Sequence, residues 1–234
     1  MAGAVVSRFG AVIFDLFGTL VYEFPKVDWD RSFTLSAEAL GVDGAAFRRE
    51  WEATSVERQT GRFSDPEANI RELCRRVGSD PTPEQVTAAL EVRRAMYERW
   101  FVPTPGAVET LRWLRARHVP TALISMCAPD TPPLWRASPL AGLVNVEVFS
   151  SEVGLRKPDP AIYLQACGRL GVEPSRCLYV GDGSYGELSG AAAVGMTAVL
   201  VLDPEVDADS IARPEAEEWT GSRIRSIAEV RGLL

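Results

Sequence analysis

Four short, nearly uninterrupted apolar runs constrain this chain more than any other feature: Ala11-Val-Ile-Phe14, Thr121-Ala-Leu-Ile124, Cys177-Leu-Tyr-Val180 and Thr197-Ala-Val-Leu-Val-Leu202. A strand with one face in water alternates polar and apolar residues, so unbroken runs describe strands covered on both faces, as in a parallel sheet between layers of helices. A fifth stretch, Val144-Asn-Val-Glu-Val-Phe149, does alternate and is expected at or near a sheet edge. Helical segments separate the runs. Thr104-Pro105 opens one with Val108, Leu111 and Leu114 along a face, and Asp159-Pro160 caps another that Gly171 stops. Strand and helix in alternation specify an α/β layered domain.

From about Val27 to Phe101 the alternation breaks, and no strand-like run occurs. Asp65-Pro66 starts a helix that ends at Gly78. Thr82-Pro83-x-Gln85 forms a capping box ahead of Val86, Leu90, Arg94 and Tyr97. The expected organisation is a core built from residues 1–24 and 102–234, with a helical lobe of residues 25–101 inserted after the first strand and covering its end.

Composition narrows the chemistry. A chain of 234 residues, 46% hydrophobic and 24% charged, can bury a full core, which sets aside disorder and coiled coil. Its net charge of -7 argues against a nucleic-acid partner, since phosphate neutralisation needs a basic surface. There is one histidine, His118, so a His-based triad or multi-His metal site is not credible. At a helix end it reads as structural. Of twenty-five basic residues only Lys26 and Lys157 are lysines. The cysteines Cys74, Cys127, Cys167 and Cys177 form no C-x-x-C pair, which indicates neither zinc nor a disulfide framework and suits a reducing cytoplasm. Cys127 reads as a small apolar filler. No apolar run approaches the length of a membrane span, and Arg8 and Asp15 interrupt what would be the apolar region of a signal peptide.

In an open parallel sheet, ligands bind at the carboxyl ends of the strands. After the first run comes Asp15-Leu-Phe-Gly-Thr19, and after the second Ser125-Met-Cys127. Gly154-Leu-Arg-Lys-Pro158 precedes the helix at Asp159, and Gly181-Asp-Gly-Ser-Tyr-Gly-Glu187 follows the strand at Cys177. An Asp, a hydroxyl, a Lys and an acidic pair are thus expected at one edge. Such a set serves phosphoryl chemistry: a carboxylate nucleophile, a hydroxyl and an ammonium to hold the anion, and carboxylates for magnesium. Lysine is not interchangeable with arginine there, because an ammonium is a compact point charge.

These four motifs, in this order and with a helical insert after the first, resemble the haloacid dehalogenase-like hydrolase superfamily over nearly the whole chain. The likeness is densest in Ser150-Ser-Glu-Val-Gly-Leu-Arg-Lys-Pro-Asp-Pro-Ala-Ile-Tyr163 and from Tyr179-Val-Gly-Asp182 to Gly195-Met196. The resemblance implies a Rossmann-like parallel core with a mobile helical cap. It implies that Asp15 is a nucleophile forming an aspartyl intermediate, that Ser125 hydrogen-bonds the transferring group, and that Lys157 neutralises both. Mg²⁺ would be held by Asp15, the Phe17 carbonyl, Asp182 and, more weakly, Glu187. Gly18, Thr19 and Met126 would meet the substrate, a small phosphorylated anion. Either a monomer or a homodimer is compatible with it.

The chain departs from the family pattern at Phe17, where phosphatases usually carry a second Asp that protonates the leaving group and then activates water. Loss of a general acid–base costs about 10²–10⁴ in rate. Substrates with good leaving groups such as acyl phosphates, a substitute group from the cap or a water, or slow turnover would each accommodate it. An aromatic residue there also resembles the 2-haloacid dehalogenases, whose halide needs no proton. Against that alternative, the dehalogenases lack a metal and replace Gly-Asp with Ser and Asn, and they follow the second-motif Ser with Asn where Met126 stands. A phosphonate hydrolase would need a cap lysine, and Lys26 lies too close to the nucleophile. A binding module of the same fold is a further alternative, opposed by the intact quartet Asp15, Ser125, Lys157 and Asp182.

Overall fold

The computed structural model describes residues 8–203 and 213–234. The first residues of the segment weighed as a signal peptide therefore lie outside the described residues. The chain is α/β, with six strands in one parallel sheet: β1 (Ala11–Phe14), β2 (Thr121–Ser125), β3 (Val146–Phe149), β4 (Cys177–Gly181), β5 (Thr197–Val201) and β6 (Ser222–Ile224). Five helices stand between β1 and β2 before the core resumes: α1 (Lys26–Leu40), α2 (Gly44–Ala53), α3 (Ser55–Gln59), α4 (Pro66–Arg76) and α5 (Pro83–Trp100). They are followed by α6 (Ala107–Ala116). After β2 come α7 (Thr131–Ala137), α8 (Ser150–Val153) and α9 (Pro160–Leu170), then α10 (Glu187–Ala193) and α11 (Pro214–Glu218).

The strand order is β3-β2-β1-β4-β5-β6. The chain steps from β1 outward to β3, then returns to the other side of β1 and steps outward to β6. The crevice where those directions diverge lies at the carboxyl ends of β1, β2 and β4, the place where such sheets bind ligands. Parallel pairing sets Phe14 opposite Leu123 on one side and Val180 on the other, so the residues that follow these strands emerge side by side.

Both sheet faces are covered, which explains the unbroken apolar runs. Val12 and Phe14 pack in one layer with Leu111 and Leu114 of α6 and with Ile227 and Val230 near the C-terminus. Ala11 and Ile13 pack in the other with Ile162, Tyr163 and Ala166 of α9 and Leu188 and Ala191 of α10. The alternating stretch is the edge strand β3, as expected. It begins at Val146, and Asn145 just before it is tied to Thr121 twice, its backbone N–H donating to the Thr121 carbonyl at 3.0 Å and its side-chain oxygen accepting from the Thr121 N–H at 2.9 Å. The opposite edge strand, β6, was not expected. Ser-Arg-Ile has neither an apolar run nor a useful alternation, and only pairing with β5 makes it a strand.

The insert has a core of its own, from Phe33 and Leu40 of α1 through Trp51 of α2 to Leu73 of α4 and Val86 of α5. The Asp65 cap and the Thr82–Gln85 capping box are both formed. The buried face of α5 runs Val86, Ala89, Arg93, Met96 and Tyr97. Leu90 is half-buried and Arg94 is exposed, so the expected register is corrected at those two positions. The cause is Arg93, whose guanidinium is buried against Asp130 at 3.1 Å and draws that face inward. The helix expected from Thr104 starts at Ala107, after Gly106 in the left-handed region (φ 79°). Thr104 ties the core segments together instead, its hydroxyl donating to the Thr19 carbonyl at 2.7 Å. The four cysteines are free thiols. No helix among the described residues is long and apolar enough to cross a membrane.

Candidate active site

Asp15 follows β1 directly, and its backbone N–H continues the ladder by donating to the Val180 carbonyl at 2.9 Å. Ser125 is the last residue of β2, and Asp182 follows the last residue of β4. Lys157 arrives on the loop before α9, which Asp159 caps by accepting from the Ala161 N–H. Two glycines make the assembly sterically possible. Gly18 sits at φ 71°, and a Cβ there would run into the Asp182 carboxylate. At Gly181 a Cβ would run into the Glu187 carboxylate. Only a residue without a side chain lets these acids lie against the backbone so closely.

Lys157 is buried and bonds the Asp15 carboxylate and, at 2.6 Å, Glu187 Oε2. Glu187 is fully engaged. Its Oε2 also accepts from the Tyr179 hydroxyl at 2.8 Å, and its Oε1 from the Gly183 N–H at 3.0 Å. The Tyr163 hydroxyl donates to the Glu187 carbonyl at 3.0 Å and fixes the start of α10. Asp182 accepts from the Ser184 N–H at 2.9 Å and pairs with Arg213, whose Nε lies 2.6 Å from Oδ2. One oxygen from each of Asp15, Asp182 and Glu187 lies within 4.8 Å of the others. Three acids so close, all buried, can share one cation.

The electrostatics follow from burial. Desolvation, with repulsion from Glu187, pushes Asp15 up to about 7 against the pull of Lys157. Desolvation likewise raises Glu187 to about 7, again opposed by Lys157. Asp182 is raised by burial and by Asp15, despite Arg213. For Lys157 burial opposes the charge, but Asp15 and Glu187 outweigh it and hold the ammonium well above its usual range. The acids therefore want more positive charge than the described residues supply.

A cavity of about 590 Å³ opens over this cluster. Of the residues expected at the site, Asp15, Phe17, Met126 and Lys157 line it. Ser125, Asp182 and Glu187 lie behind that surface, all fully buried. The Ser125 hydroxyl bonds no backbone group among the described residues, its neighbour being the Cys127 thiol, so it is not spent on capping the chain. Gly18 and Thr19 are not among the residues lining the cavity: Gly18 packs against Asp182, and the Thr19 carbonyl accepts from Thr104, while the buried Thr19 hydroxyl has no partner among the described residues. Glu187, expected as a weak metal ligand, is also the residue that orients Lys157.

Several site residues were not anticipated. Glu23 lines the cavity just ahead of α1, and burial, with repulsion from Asp182, raises its carboxyl to about 8. Arg213 reaches Asp182 from the far end of the chain, and no motif marks it. Tyr185 lines the cavity at φ 57°, a left-handed conformation unusual for an aromatic residue. Arg58, Trp51 and Trp29 complete the wall from the insert. Cys127, which the Ser125-Met-Cys127 motif already put beside the site as an apolar filler, faces the cavity, and burial pushes its thiol up. Of the residues not anticipated, Tyr185 alone carried a sequence signal, its Gly-Ser-Tyr-Gly context marking a turn.

Comparison with known proteins agrees with this geometry. A family model described as haloacid dehalogenase-like hydrolase matches residues 9–195. A glyceraldehyde 3-phosphate phosphatase of Methanopyrus kandleri is 31% identical over 55% of this chain, a match that spans only 56% of that relative. A phosphoglycolate phosphatase of Shigella boydii is 28% identical over 80% of this chain and 79% of the relative. Among solved structures, the L-2-haloacid dehalogenase of Xanthobacter autotrophicus, with chloropropionic acid covalently bound, shares the fold with a TM-score of 0.59. It is 20% identical, covering 97% of this chain and 100% of that one.

Proposed function

The chain belongs to the haloacid dehalogenase-like hydrolases, and on that footing we propose that it is a Mg²⁺-dependent phosphatase of small phosphorylated molecules. The observation that carries this reading is the buried cluster of Asp15, Asp182 and Glu187 beside Lys157. The donor set is all oxygen and anionic, as a hard divalent cation requires, and the raised carboxyls are those a cation would return to the charged form. Asp15 and Asp182, with Glu187 and the Phe17 carbonyl, are the residues that would hold Mg²⁺. When bound, the ion would screen the negative charge of the phosphoryl oxygens. A haloacid substrate has no use for such a cluster, which weighs against the dehalogenase alternative. Named phosphatases among the relatives, and the convergence of Asp15, Ser125, Lys157 and Asp182, weigh against a binding module. Residues 25–101 act as a cap in this reading. The free cysteines support a cytoplasmic setting.

In the chemical step a carboxylate oxygen of Asp15 attacks phosphorus, and the bond from phosphorus to the leaving oxygen breaks. Lys157 holds Asp15 in place and offsets the charge that accumulates, while Ser125 offers its unspent hydroxyl to the phosphoryl group. Water then attacks the phosphorus of the aspartyl-phosphate, which returns Asp15 and releases phosphate. Phe17 can neither give nor take a proton; its ring packs on Phe24 and Phe101, at centroid distances of 5.0 and 5.9 Å. In this reading Glu23 does that work, protonating the leaving oxygen and then accepting the proton of water. It is a carboxyl beside Asp15 in the cavity, and burial with repulsion from Asp182 outweighs the pull of Arg213 and favours its protonated form.

The test of the reading is phosphate release from p-nitrophenyl phosphate and acetyl phosphate, with Mg²⁺ and with a chelator, run beside halide release from 2-chloropropionate. Metal-dependent phosphate release without halide release is expected; metal-independent halide release would overturn it. The acid–base assignment is tested by leaving group. Glu23→Gln is expected to lower kcat about 10²–10³-fold on alkyl phosphates and by far less on acyl phosphates, whose leaving group needs no proton. A general acid raised to about 8 loses its proton above that pH, so an alkaline limb is expected for alkyl phosphates in the unmodified enzyme and not in the variant. Equal losses on both substrates would remove Glu23 from this role.

A further inference from the structure

The cavity carries a positive charge that the hydrolytic machinery does not use. Arg58, from the short helix α3 of the insert, is 5% exposed and lines the same cavity as Asp15 and Lys157. Its Nη1 donates to the Trp51 carbonyl and, at 2.7 Å, to the Thr54 hydroxyl, and its guanidinium lies 3.7 Å from the Trp51 ring centroid. Every one of these partners is neutral. Among the described residues no carboxylate stands within ion-pairing distance of Arg58, whereas each neighbouring basic group of the insert has one. Arg48 is paired with Asp30 and Glu52, Lys26 with Asp30, and Arg93 with Asp130.

A buried guanidinium without a counter-charge is costly, because desolvation is not repaid by an opposite charge. Burial and the nearby Arg93 pull Arg58 down only to about 10, so it keeps its charge at neutral pH. The residue is held rigidly enough to serve as a receptor: the carbonyl, the hydroxyl and the indole fix its plane. The Trp51 ring also meets Arg93, whose guanidinium stands 4.0 Å from the ring centroid. The walls nearby are aromatic, with Phe24 stacked on Trp29 at 5.6 Å and edge-on to Tyr97 at 4.8 Å. A cavity of about 590 Å³ is also more than a phosphoryl group needs.

We propose that Arg58 is the receptor for a second anionic group of the substrate, and that the substrate is a phosphate monoester with a planar, apolar body bearing a carboxylate away from the phosphate. The proposal rests on the phosphatase reading for the phosphoryl end. The carboxylate takes the counter-charge place that the fold leaves empty, the aromatic walls receive the body, and Lys157 and Ser125 meet the phosphoryl group. Because Arg58 comes from the insert and Asp15 from the core, a substrate with both charges bridges the two.

The test is binding of two non-hydrolysable analogues, benzylphosphonate and 4-carboxybenzylphosphonate, measured by calorimetry on the full chain with Mg²⁺. The unmodified protein is expected to bind the carboxylated analogue at least about 10-fold more tightly, the usual worth of a hydrogen bond between charged groups. Arg58→Met, which keeps a side chain over Trp51, is expected to bring the ratio of the two Kd values to near one, and Arg58→Lys to restore part of it. A purely structural role would weaken both analogues alike and leave their ratio in place. No preference in the unmodified protein, or a preference that survives Arg58→Met, overturns the proposal. Should Arg58→Met fail to fold, Arg58→Lys and Arg58→Gln are compared in the same way. Failure of the phosphatase reading would show separately, as absence of phosphate release by the unmodified protein.

Discussion

Asp15→Asn is expected to reduce phosphate release by about 10⁴-fold or more while the protein stays folded. The amide keeps the shape of the carboxyl but cannot attack phosphorus, and Glu187, the other carboxyl bonded to Lys157, is buried behind the cavity surface rather than lining it. The fold tolerates the change because Asp15 is a charge that burial and Glu187 already disfavour, enough to raise it to about 7. Lys157 keeps Glu187 as its partner, so the substitution leaves no uncompensated buried cation. Melting temperature is expected within a few degrees of the unmodified protein. Single-turnover phosphate release and thermal unfolding, measured together, check both halves. Retention of more than about one tenth of the activity would remove Asp15 as the nucleophile.

Lys157→Met is expected to harm both activity and stability. Among the described residues the ammonium is the only cation bonded to Asp15, and it holds Glu187 as well. Breaking a buried ion pair from one side typically costs about 3–5 kcal/mol, because the remaining charge is left uncompensated. For a chain of this size that corresponds to a drop of roughly 10 °C in melting temperature. The sign of the pH dependence is fixed by linkage. Without Lys157, Asp15 and Glu187 have folded-state pKa values raised still further above their unfolded ones, so the folded state binds more protons than the unfolded state. Their contribution is therefore least harmful at low pH, and stability is lost as pH rises through the folded values. The gap in melting temperature between variant and unmodified protein is expected to be wider at pH 8 than at pH 5. A gap that narrows with pH would mean that Lys157 does not serve as the counter-charge of these acids. Activity should fall with stability held constant, which assay well below the melting temperature separates.

Much of the fold was legible because the signals were local and agreed. Short unbroken apolar runs suit strands buried on both faces, and β1 and β5 lie within those runs while β2 and β4 start with theirs and extend one residue beyond. The alternation at Val144 to Phe149 marked an edge, and β3 is one. Caps at Asp65, Thr82 and Asp159 were readable because each depends on a few neighbouring residues. Signals failed where a distant partner decided the outcome. Ser222–Ile224 becomes a strand only because β5 offers an open edge. The face of α5 turns on the pairing of Arg93 with Asp130, thirty-seven positions apart.

The candidate site divides along the same line. Asp15, Ser125, Lys157 and Asp182 were identifiable in the sequence, because a parallel sheet delivers whatever follows its central strands to one edge, and each residue type suits a single task there. What each group does for the others was settled by packing. Glu187 accepts from Lys157, Tyr179 and Gly183 at once, Gly18 leaves room for the Asp182 carboxylate, and Arg213 comes from the residue just ahead of α11 to share that acid. Glu23 and Arg58 lie in unremarkable stretches of sequence, and only the closure of the insert over the sheet turns them toward the cavity. The sequence by itself thus determined the α/β core and its reactive edge, because strand burial and strand-end position are properties of short segments. The tertiary structure decided which charges are paired and which are left over, because desolvation and Coulomb interaction depend on distances between residues that the chain keeps far apart.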